Sequence, residues 1–395
     1  MLNDENASVK PKGGSVALFC IITALYWFSL YAYIPIFTPY VESLGAGHTM
    51  TGLIVGSYGL AQLLLRIPLG IISDRLRKRK IFVSLGMLLS LGSSLGLWLV
   101  PGVWGALIFR GLAGAAASTW VAFTVLFSSY FNEGQAQKAI GTINAFNSLG
   151  QMLATFAGGW LAQSVGWPST FILAAIVGAI GLVASLFVAE TRVPTKQPIQ
   201  VEQLLKVGKS VSLLTVSGLA ILSQFVTFAT VFGFTTVHAQ SIGAGEFEMG
   251  LLTLISTLPY MLASTLVGSV FATRFGERRT VTIGFAIVAV CAAIIPFTRS
   301  MSGLYISQAI GGFGRGMVFP VLMGLSIKTV EPDKRATAMG FFQAIYAVGM
   351  FVGPFLVGLI SDAVGLTGGF LATAAVGAVA AFVAWASLKP LSRSI

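Results

Sequence analysis

Three arginines, Arg66, Arg110 and Arg315, stand inside apolar segments that are long enough to cross a bilayer. Arg315 lies in the stretch GGFGRGMVFP at residues 311–320, near the middle of its segment. An unpaired charge at that depth costs at least ~2.5–3.5 kcal/mol. No acidic residue lies deep in any such segment. We therefore expect Arg315 to meet an anionic group of a substrate, with Arg110 as a second charge. The alternative is that Arg315 binds backbone carbonyls freed by a kink at Pro320.

Polar and aromatic side chains elsewhere in the apolar segments are candidates for lining a cavity. Asn144, Asn147 and Gln151 recur at helical spacing, so one side of their segment is polar. That side either hydrogen-bonds to neighbouring helices or lines a water-filled cavity. Tyr26 and Tyr33 share one face of the first segment, where they either contact a ligand or serve packing. The predicted substrate-binding residues are Arg315, Arg110, Tyr26, Tyr33, Asn144, Asn147, Gln151, Gln224, Gln343 and Tyr346.

Groups that could carry protons across a membrane are scarce. Intramembrane proton carriers are usually carboxylates or histidines, and the candidates are Glu42, Asp74 and His238. Cys20 and Cys291 are far apart in the sequence, so we expect inert thiols and no metal site. No acid accompanies a nucleophile inside the apolar segments, and the sequence therefore predicts neither an enzyme nor a bound cofactor.

The elements that position these residues are membrane helices. The 395 residues are 55% hydrophobic and only 9% charged, with a mean hydropathy of +0.87, whereas a soluble protein carries about 25% charged residues. At about 20 residues per span, the apolar segments predict twelve helices. They lie near residues 15–41, 49–73, 80–100, 104–130, 137–162, 168–189, 211–239, 247–272, 280–297, 302–328, 334–362 and 367–388.

The loop charges predict the orientation of these helices. Cytoplasmic loops of membrane proteins carry an excess of lysine and arginine. If both termini are cytoplasmic, every one of the 24 lysines and arginines lies on that side except Arg66, Arg110, Arg299 and Arg315. The net charge of +11 is then a topology signal and not a nucleic-acid footprint. We expect a multi-pass protein of a bacterial-type inner membrane.

A long polar connection divides the chain into two halves. Residues 190–210 contain two prolines and several charges, whereas the other connections are short. We predict an N-terminal six-helix bundle at residues 1–189 and a C-terminal six-helix bundle at residues 211–395, joined by this cytoplasmic linker.

The two halves also repeat one another. SLGAG at residues 43–47 returns as SIGAG at residues 241–245, an offset of 198. Two parallel six-helix repeats with a site between them near the midplane are typical of secondary transporters. Glycines match at this offset, or at an offset one larger, in five pairs: Gly52 and Gly250, Gly70 and Gly268, Gly114 and Gly312, Gly150 and Gly349, Gly159 and Gly358.

The loop after the second predicted span carries a recognisable motif. GIISDRLRKRK at residues 70–80 resembles the Gly-x-x-x-Asp-Arg-x-Gly-Arg-Lys signature of the major facilitator superfamily, with Arg77 in place of the second glycine. RGLAG at residues 110–114 is similar to that family's Arg-x-x-x-Gly element of span 4. The resemblance covers essentially the whole chain. It implies an all-α polytopic fold of two pseudo-symmetric six-helix bundles that works by alternating access.

The resemblance also implies roles for individual residues. Asp74 would act as a latch that contacts the start of span 11, near Lys334 and Arg335, when the cavity faces outward. The alternative is an orientation charge with a helix cap. Arg110 would assist proton coupling, and spans 1, 4, 7 and 10 would line the central cavity. The predicted gating residues are Gly70, Asp74, Arg75, Arg79 and, because it shares a helix face with Gly70 and Asp74, Arg66.

The sequence as a whole predicts secondary active transport of a small organic anion or amphipathic acid, with protons as the coupling ion. The alternative is proton-driven multidrug efflux, which the family's antiporter element in span 5 disfavours, because Ala154 and Thr155 replace its central Gly-Pro pair. A membrane receptor or a lipid flippase is a third possibility. We expect a monomer embedded in the lipid bilayer, with no nucleic-acid partner.

Overall fold

The computed structural model describes residues 13–76, 78–131, 135–191, 210–328, 330–331 and 335–388. Most of the predicted linker at 190–210 lies outside these residues, and the Arg335 side chain does as well. The same holds for ten of the lysines and arginines predicted to be cytoplasmic: Lys10, Lys12, Arg77, Arg192, Lys196, Lys206, Lys209, Lys334, Lys389 and Arg393.

The described chain forms twelve spans, several of which consist of consecutive helices. Span 1 is Gly13–Tyr31 and Ile34–Ser43, span 2 is His48–Leu76, span 3 is Arg79–Leu99, span 4 is Val103–Ser118 and Trp120–Ser128, span 5 is Ala136–Val165, and span 6 is Pro168–Ser185. Span 7 is Val211–Ala229, the π-helical Thr230–Phe234 and Thr235–Ser241. Span 8 is Glu246–Leu266, the π-helical Val267–Phe271 and Ala272–Phe275. Span 9 is Glu277–Ile294 with a 3₁₀ turn at Ile295–Phe297, and span 10 is Met301–Lys328. Spans 11 and 12 form Arg335–Ser387, which is broken at Val364 and Gly365.

The apolar character of these helices agrees with twelve crossings. Ten stretches of the described residues are long and apolar enough to span a membrane, and one of them, Thr337–Ser387, holds both span 11 and span 12. Span 5 is not among the ten, although its 30 residues extend about 45 Å. Its polar side chains account for this, because they lower the hydropathy of the segment. The fold class predicted from the sequence is confirmed.

The predicted repeat is visible in the helix crossings. A Cβ atom added to Gly114 would lie 2.3 Å from the carbonyl oxygen of Tyr58, and one added to Gly312 would lie 2.1 Å from that of Ser256. Tyr58 and Ser256 are themselves 198 residues apart, as are the two glycines. Span 4 therefore crosses span 2 as span 10 crosses span 8, and only glycine permits such a close backbone approach.

A second repeated crossing, between spans 5 and 1, gives a test of folding. A Cβ atom on Gly150 would lie 2.3 Å from the carbonyl oxygen of Ala24, a backbone atom that no rotamer change can move. We expect Gly150→Val to reduce the yield of monodisperse protein at least severalfold, measured by size-exclusion chromatography of detergent extracts. Gly141→Ala is the control, because nothing lies within 4 Å of its Cβ position. Equal yields for both variants would contradict the close approach of spans 5 and 1 at Gly150.

The two ends of the bundle differ in charge. We call the end that carries Glu42, Glu246, Glu248 and Asp362 the acidic face. The opposite end, the basic face, carries Arg75, Lys78, Arg79, Lys80, Arg274, Arg278, Arg279 and Lys328.

The two halves meet tightly on the side of the acidic face. A Cβ atom on Gly52 of span 2 would lie 2.0 Å from the carbonyl oxygen of Pro354 in span 11. In span 5, a Cβ atom on Gly159 would lie 2.8 Å from the Cα atom of Gly250 in span 8. Gly52 and Gly250 are one of the glycine pairs that the repeat matches. Four of the ten matched glycines, Gly52, Gly159, Gly250 and Gly358, therefore lie on crossings between the halves.

A pair of threonines lies on the axis that relates the two halves. The Thr38 hydroxyl donates to the carbonyl oxygen of Gly233 at 2.8 Å and lies 2.7 Å from the Thr236 hydroxyl. Thr38 and Thr236 are 198 residues apart and are thus equivalent positions of spans 1 and 7. Both side chains are buried, so the acidic face is closed in this conformation.

Candidate functional site

Arg315 lies inside the C-terminal half, among spans 8, 9 and 10. Its side chain is 8% exposed, and its guanidinium donates to the Ser256 hydroxyl. A Cβ atom on Gly311 would lie 3.7 Å from Arg315 Nη1 and 3.4 Å from Cys291 Cβ, which locates the guanidinium one turn toward the acidic face. Ser256 and Gln308 line a small adjoining cavity together with Val231, Thr235, Thr236, Leu252 and Thr253.

Arg110 lies in an aromatic surrounding inside the N-terminal half. It is 3% exposed and donates to the Tyr33 hydroxyl at 3.3 Å. Its guanidinium carbon is 4.4 Å from the ring centroid of Tyr58 and 5.3 Å from that of Phe37. Such cation–π contacts stabilise a buried cation by about 0.5–2 kcal/mol without neutralising it. Its Nε atom is buried without a hydrogen-bond partner.

Arg66 joins the two halves across the contact between spans 2 and 11. Its Nη1 donates to the Tyr346 hydroxyl at 2.8 Å and to the carbonyl oxygen of Gln343 at 3.4 Å, and its Nη2 donates to Gln62 Oε1. Its side chain is 5% exposed. The structure thus brings Arg66, a predicted gating residue, together with Gln343 and Tyr346, which are predicted substrate-binding residues.

The three arginines contact neutral groups of three different spans. Arg110 lies over the ring of Tyr58 in span 2, and Arg315 donates to Ser256, the repeat equivalent of Tyr58, in span 8. Arg66 donates to the Tyr346 hydroxyl in span 11. Among the residues that the structure describes, none of the three guanidinium groups has a carboxylate oxygen within 4.0 Å. Within the described part of the chain, the guanidinium groups contact neutral hydroxyl, amide and carbonyl groups and aromatic rings.

The other predicted substrate-binding residues differ in their placement. The Tyr26 hydroxyl donates to the carbonyl oxygen of Ala116 at 2.5 Å, and its ring stacks on Phe123 at 4.6 Å, so Tyr26 is fully buried within the N-terminal half. Tyr33 is equally buried and contacts Arg110. Four further residues are partly or fully exposed: Asn144, Asn147, Gln151 and Gln224. Gln151 donates to Asn147 Oδ1 at 2.5 Å.

The predicted gating residues lie at the basic face, except for Arg66. Asp74 Oδ1 accepts a hydrogen bond from Arg79 at 2.8 Å, within the N-terminal half. Glu190 accepts hydrogen bonds from the first backbone amides of span 3. Arg75 is exposed, and nothing lies within 4 Å of a Cβ atom on Gly70. The predicted contact of Asp74 with Lys334 and Arg335 involves groups outside the described part of the chain.

Two contacts at the acidic face, which we call the clasps, were not predicted. Asp362, at the end of span 11, accepts hydrogen bonds from the backbone amides of His48 and Thr49 at 3.0 and 2.8 Å, and from the Thr49 hydroxyl at 2.6 Å. Gln163, at the end of span 5, accepts one from the backbone amide of Phe247 at 3.2 Å. Gln163 and Asp362 are 199 residues apart, which is the larger of the two repeat offsets. This offset is the signal in the sequence that could have identified them as equivalent positions. Each clasp joins a helix end of one half to a helix start of the other.

The predicted proton-coupling residues are distributed over both faces. Glu42 Oε1 lies 2.8 Å from His48 Nδ1 at the acidic face, beside the Asp362 clasp. His238 Nε2 lies 3.1 Å from the carbonyl oxygen of Thr298. Asp74 is paired with Arg79 at the basic face. Glu42 and His48 are therefore a carboxylate–imidazole pair that a proton can reach from the acidic face.

Comparison with known proteins gives the family. The model of the Major Facilitator Superfamily matches residues 19–238 and 216–394. An uncharacterised MFS-type transporter of Methanocaldococcus jannaschii is 24% identical over 84% of this chain and 87% of its own. The multidrug resistance protein MdtG of Dickeya zeae is 24% identical over 91% and 90%. A bacterial homologue of the human lysosomal transporter Spinster, solved in an inward-facing, unoccupied conformation, has a TM-score of 0.77 at 17% identity, covering 94% of this chain and 96% of that one.

These matches agree with the architecture. The two matched ranges overlap in span 7 and together cover all twelve spans, and the repeated glycine crossings relate one half to the other. The chain is therefore a multi-pass membrane protein that acts as a secondary transporter and not as an enzyme, and it belongs to the major facilitator superfamily.

Proposed function

We propose that the chain transports a small organic anion or amphipathic acid by alternating access, coupled to protons. It acts as a monomer in the inner membrane with both termini cytoplasmic. One observation carries the proposal: three guanidinium groups lie within the membrane-spanning region, and none has a carboxylate partner among the described residues.

The energetics favour an anionic substrate. A buried cation without a counter-ion is costly, and hydrogen bonds between ionised groups are roughly twice as strong as those between neutral groups. An anion that enters the region between the arginines would therefore be stabilised by the positive electrostatic field that the three guanidinium groups already provide. A lipophilic cation would be repelled there, since the described spans offer it no carboxylate within 4.0 Å of these arginines.

Arg315 and Arg110 supply charge from opposite halves in this proposal. Gln308, the repeat equivalent of Arg110, lines the small cavity beside Ser256, to which Arg315 donates. The polar side of span 5, with Asn144, Asn147 and Gln151, is exposed at least in part and adds hydrogen-bonding groups. The remaining predicted substrate-binding residues serve as aromatic and amide contacts: Tyr26, Tyr33, Gln224, Gln343 and Tyr346.

Proton coupling is proposed to use Glu42. Its carboxylate is paired with His48 next to the Asp362 clasp, so a change in its protonation would act on the closure of the acidic face. Asp74 and His238 are the other candidates. The test of this assignment is uptake of the organic anion into proteoliposomes. Uptake is measured with and without a protonophore, in wild type and in Glu42→Gln.

The anionic class is tested by thermal stabilisation of the purified protein. A ligand at 100 times its dissociation constant adds about 2.7 kcal/mol to the free energy of unfolding. We expect benzoate, salicylate and octanoate to raise the melting temperature of the wild type, and this effect to be lost in Arg315→Gln. Arg278→Gln, which removes an equal charge near Trp385 at the basic face, should respond as the wild type does. Stabilisation by tetraphenylphosphonium in all three proteins, without any effect of the anions, would contradict the proposal.

Multidrug efflux is the second candidate, and the comparison with MdtG favours it. A drug exporter needs a large apolar surface, and spans 1, 2 and 7 bring together Tyr31, Tyr58, Phe228 and Phe232, with Tyr31 and Phe232 at a centroid distance of 5.8 Å. In that case Arg315 would serve only the packing of the C-terminal half. Stabilisation by lipophilic cations that persists in Arg315→Gln is the result that would select this candidate.

A further inference from the structure

Arg66 and Gln62 form a cluster of hydrogen-bond donors in the membrane interior. They stand one helical turn apart on span 2, and both are buried, at 5% and 2% exposure. Arg66 Nε and Gln62 Nε2 are buried without a hydrogen-bond partner. Buried donors are nearly always paired in native proteins, and an unpaired one costs about 1–3 kcal/mol. Two adjacent unpaired donors therefore indicate that an acceptor binds here.

The acceptors that Arg66 now uses are all neutral. They are the Tyr346 hydroxyl, the carbonyl oxygen of Gln343 and Gln62 Oε1. A guanidinium binds a carboxylate through two parallel hydrogen bonds that are stronger than bonds to neutral oxygens. A carboxylate could thus displace the Gln343 carbonyl, whose 3.4 Å bond is the longest of the three, while the Gln62 amide and the Tyr346 hydroxyl donate to it.

The position of Arg66 is central in the molecule. Its partners Gln343 and Tyr346 belong to span 11, so the cluster lies on the contact between the halves. Arg110 donates to Tyr33 and Arg315 donates to Ser256, so each of these two arginines makes its hydrogen bond within its own half. Arg66 differs from both, because its hydrogen bonds to Gln343 and Tyr346 cross from one half to the other.

We propose that Arg66, with Gln62 and the Tyr346 hydroxyl, binds the carboxylate or similar oxyanion of the substrate at the contact between the two halves. This inference rests on the proposed transport of an organic anion. It assigns Arg66 to substrate recognition and not to the gate at the basic face. An anion bound here bridges spans 2 and 11, so its arrival and departure alter the contact that must change during alternating access.

The test measures binding of radiolabelled benzoate and octanoate to the purified full-length chain. We expect Arg66→Gln to raise both dissociation constants by about 10–100-fold, since a hydrogen bond to a charged group typically contributes that much. Arg66→Lys keeps the charge but loses the planar fork, and should show a smaller increase of about 3–10-fold. Tyr346→Phe removes one hydroxyl and should raise the constants by about threefold or more, whether or not the arginine variants fold.

The controls separate this inference from the proposed function. Tyr305→Phe, which removes a hydroxyl that donates to the Glu248 carbonyl oxygen at 3.4 Å, and Arg278→Gln should bind both acids as the wild type does. If Arg315→Gln abolishes binding while Arg66→Gln and Tyr346→Phe bind normally, the anion transporter stands and the assignment of Arg66 is overturned. If the wild type binds neither acid but binds tetraphenylphosphonium, the proposed function fails and the assignment fails with it.

Discussion

Replacing Gly52 with leucine is expected to force the acidic face open and to stop transport. Its Cβ atom would lie 2.0 Å from the Pro354 carbonyl oxygen and 2.7 Å from the Pro354 carbonyl carbon. Since both are backbone atoms, spans 2 and 11 must separate. Overpacking of this kind costs about 1–3 kcal/mol, which changes a conformational equilibrium by about 5–150-fold.

A cysteine at position 38 reports this opening. Thr38 is 1% exposed on the axis between the halves, so Thr38→Cys, in a chain with Cys20 and Cys291 replaced by serine, should react slowly with a hydrophilic maleimide. Adding Gly52→Leu should speed the reaction about tenfold or more and abolish substrate uptake by proteoliposomes. Gly218→Leu is the matched control, because nothing lies within 4 Å of its Cβ position in span 7. An unchanged labelling rate would show that the crossing does not hold the face closed.

Removing the Asp362 carboxylate is expected to release the start of span 2. The first backbone amides of a helix have no partner within the helix, and those of His48 and Thr49 donate instead to Asp362. Their hydrogen–deuterium exchange should therefore be much faster in Asp362→Ala. The variant loses roughly 1–2 kcal/mol of the free energy that keeps these amides protected, because it loses both the hydrogen bonds and the attraction of a carboxylate to a helix start. This loss corresponds to about a 5–30-fold increase in exchange rate.

Two other variants decide whether the charge matters. Asp362→Asn keeps an acceptor oxygen but loses the negative charge, and should exchange at an intermediate rate. Gln163→Ala removes the single hydrogen bond of the second clasp and should accelerate exchange at Phe247 while leaving His48 and Thr49 unaffected. Equal exchange at residues 48 and 49 in wild type and Asp362→Ala would mean that the carboxylate contributes nothing to closure.

The helices and their internal symmetry could be predicted from the sequence because both depend on local pattern. Apolar length locates a span, and four of the five glycine pairs that recur at the repeat offset mark helix crossings. Gly52 and Gly250 were matched by offset alone, and both lie on contacts between the halves. The polar side of span 5 was equally visible, since helical spacing places Asn144, Asn147 and Gln151 on one side.

The neighbours of each side chain could not be predicted in the same way. Tyr26 and Tyr33 share a face of span 1, but the sequence does not specify that this face packs against spans 4 and 6. Arg66 shares a face with Gly70 and Asp74, which favoured a role in the gate. It lies eight residues, about 12 Å, from Asp74, and two of its three hydrogen-bond partners, Gln343 and Tyr346, come from span 11, 277 and 280 residues away. Tertiary packing alone determines such pairs.

The polarity of span 5 bears on how the ribosome-bound chain enters the bilayer. A segment with several amide side chains is released into lipid less readily than the more apolar spans around it. Span 6 begins only three residues after span 5 ends, at Pro168, and span 1 is already in place, with the carbonyl oxygens of Ala24 and Ala32 facing Gly150 and Gly158. We therefore expect insertion of span 5 to be cooperative: it should enter the membrane as one arm of a helical hairpin with span 6 and pack against span 1, which precedes it by about 120 residues.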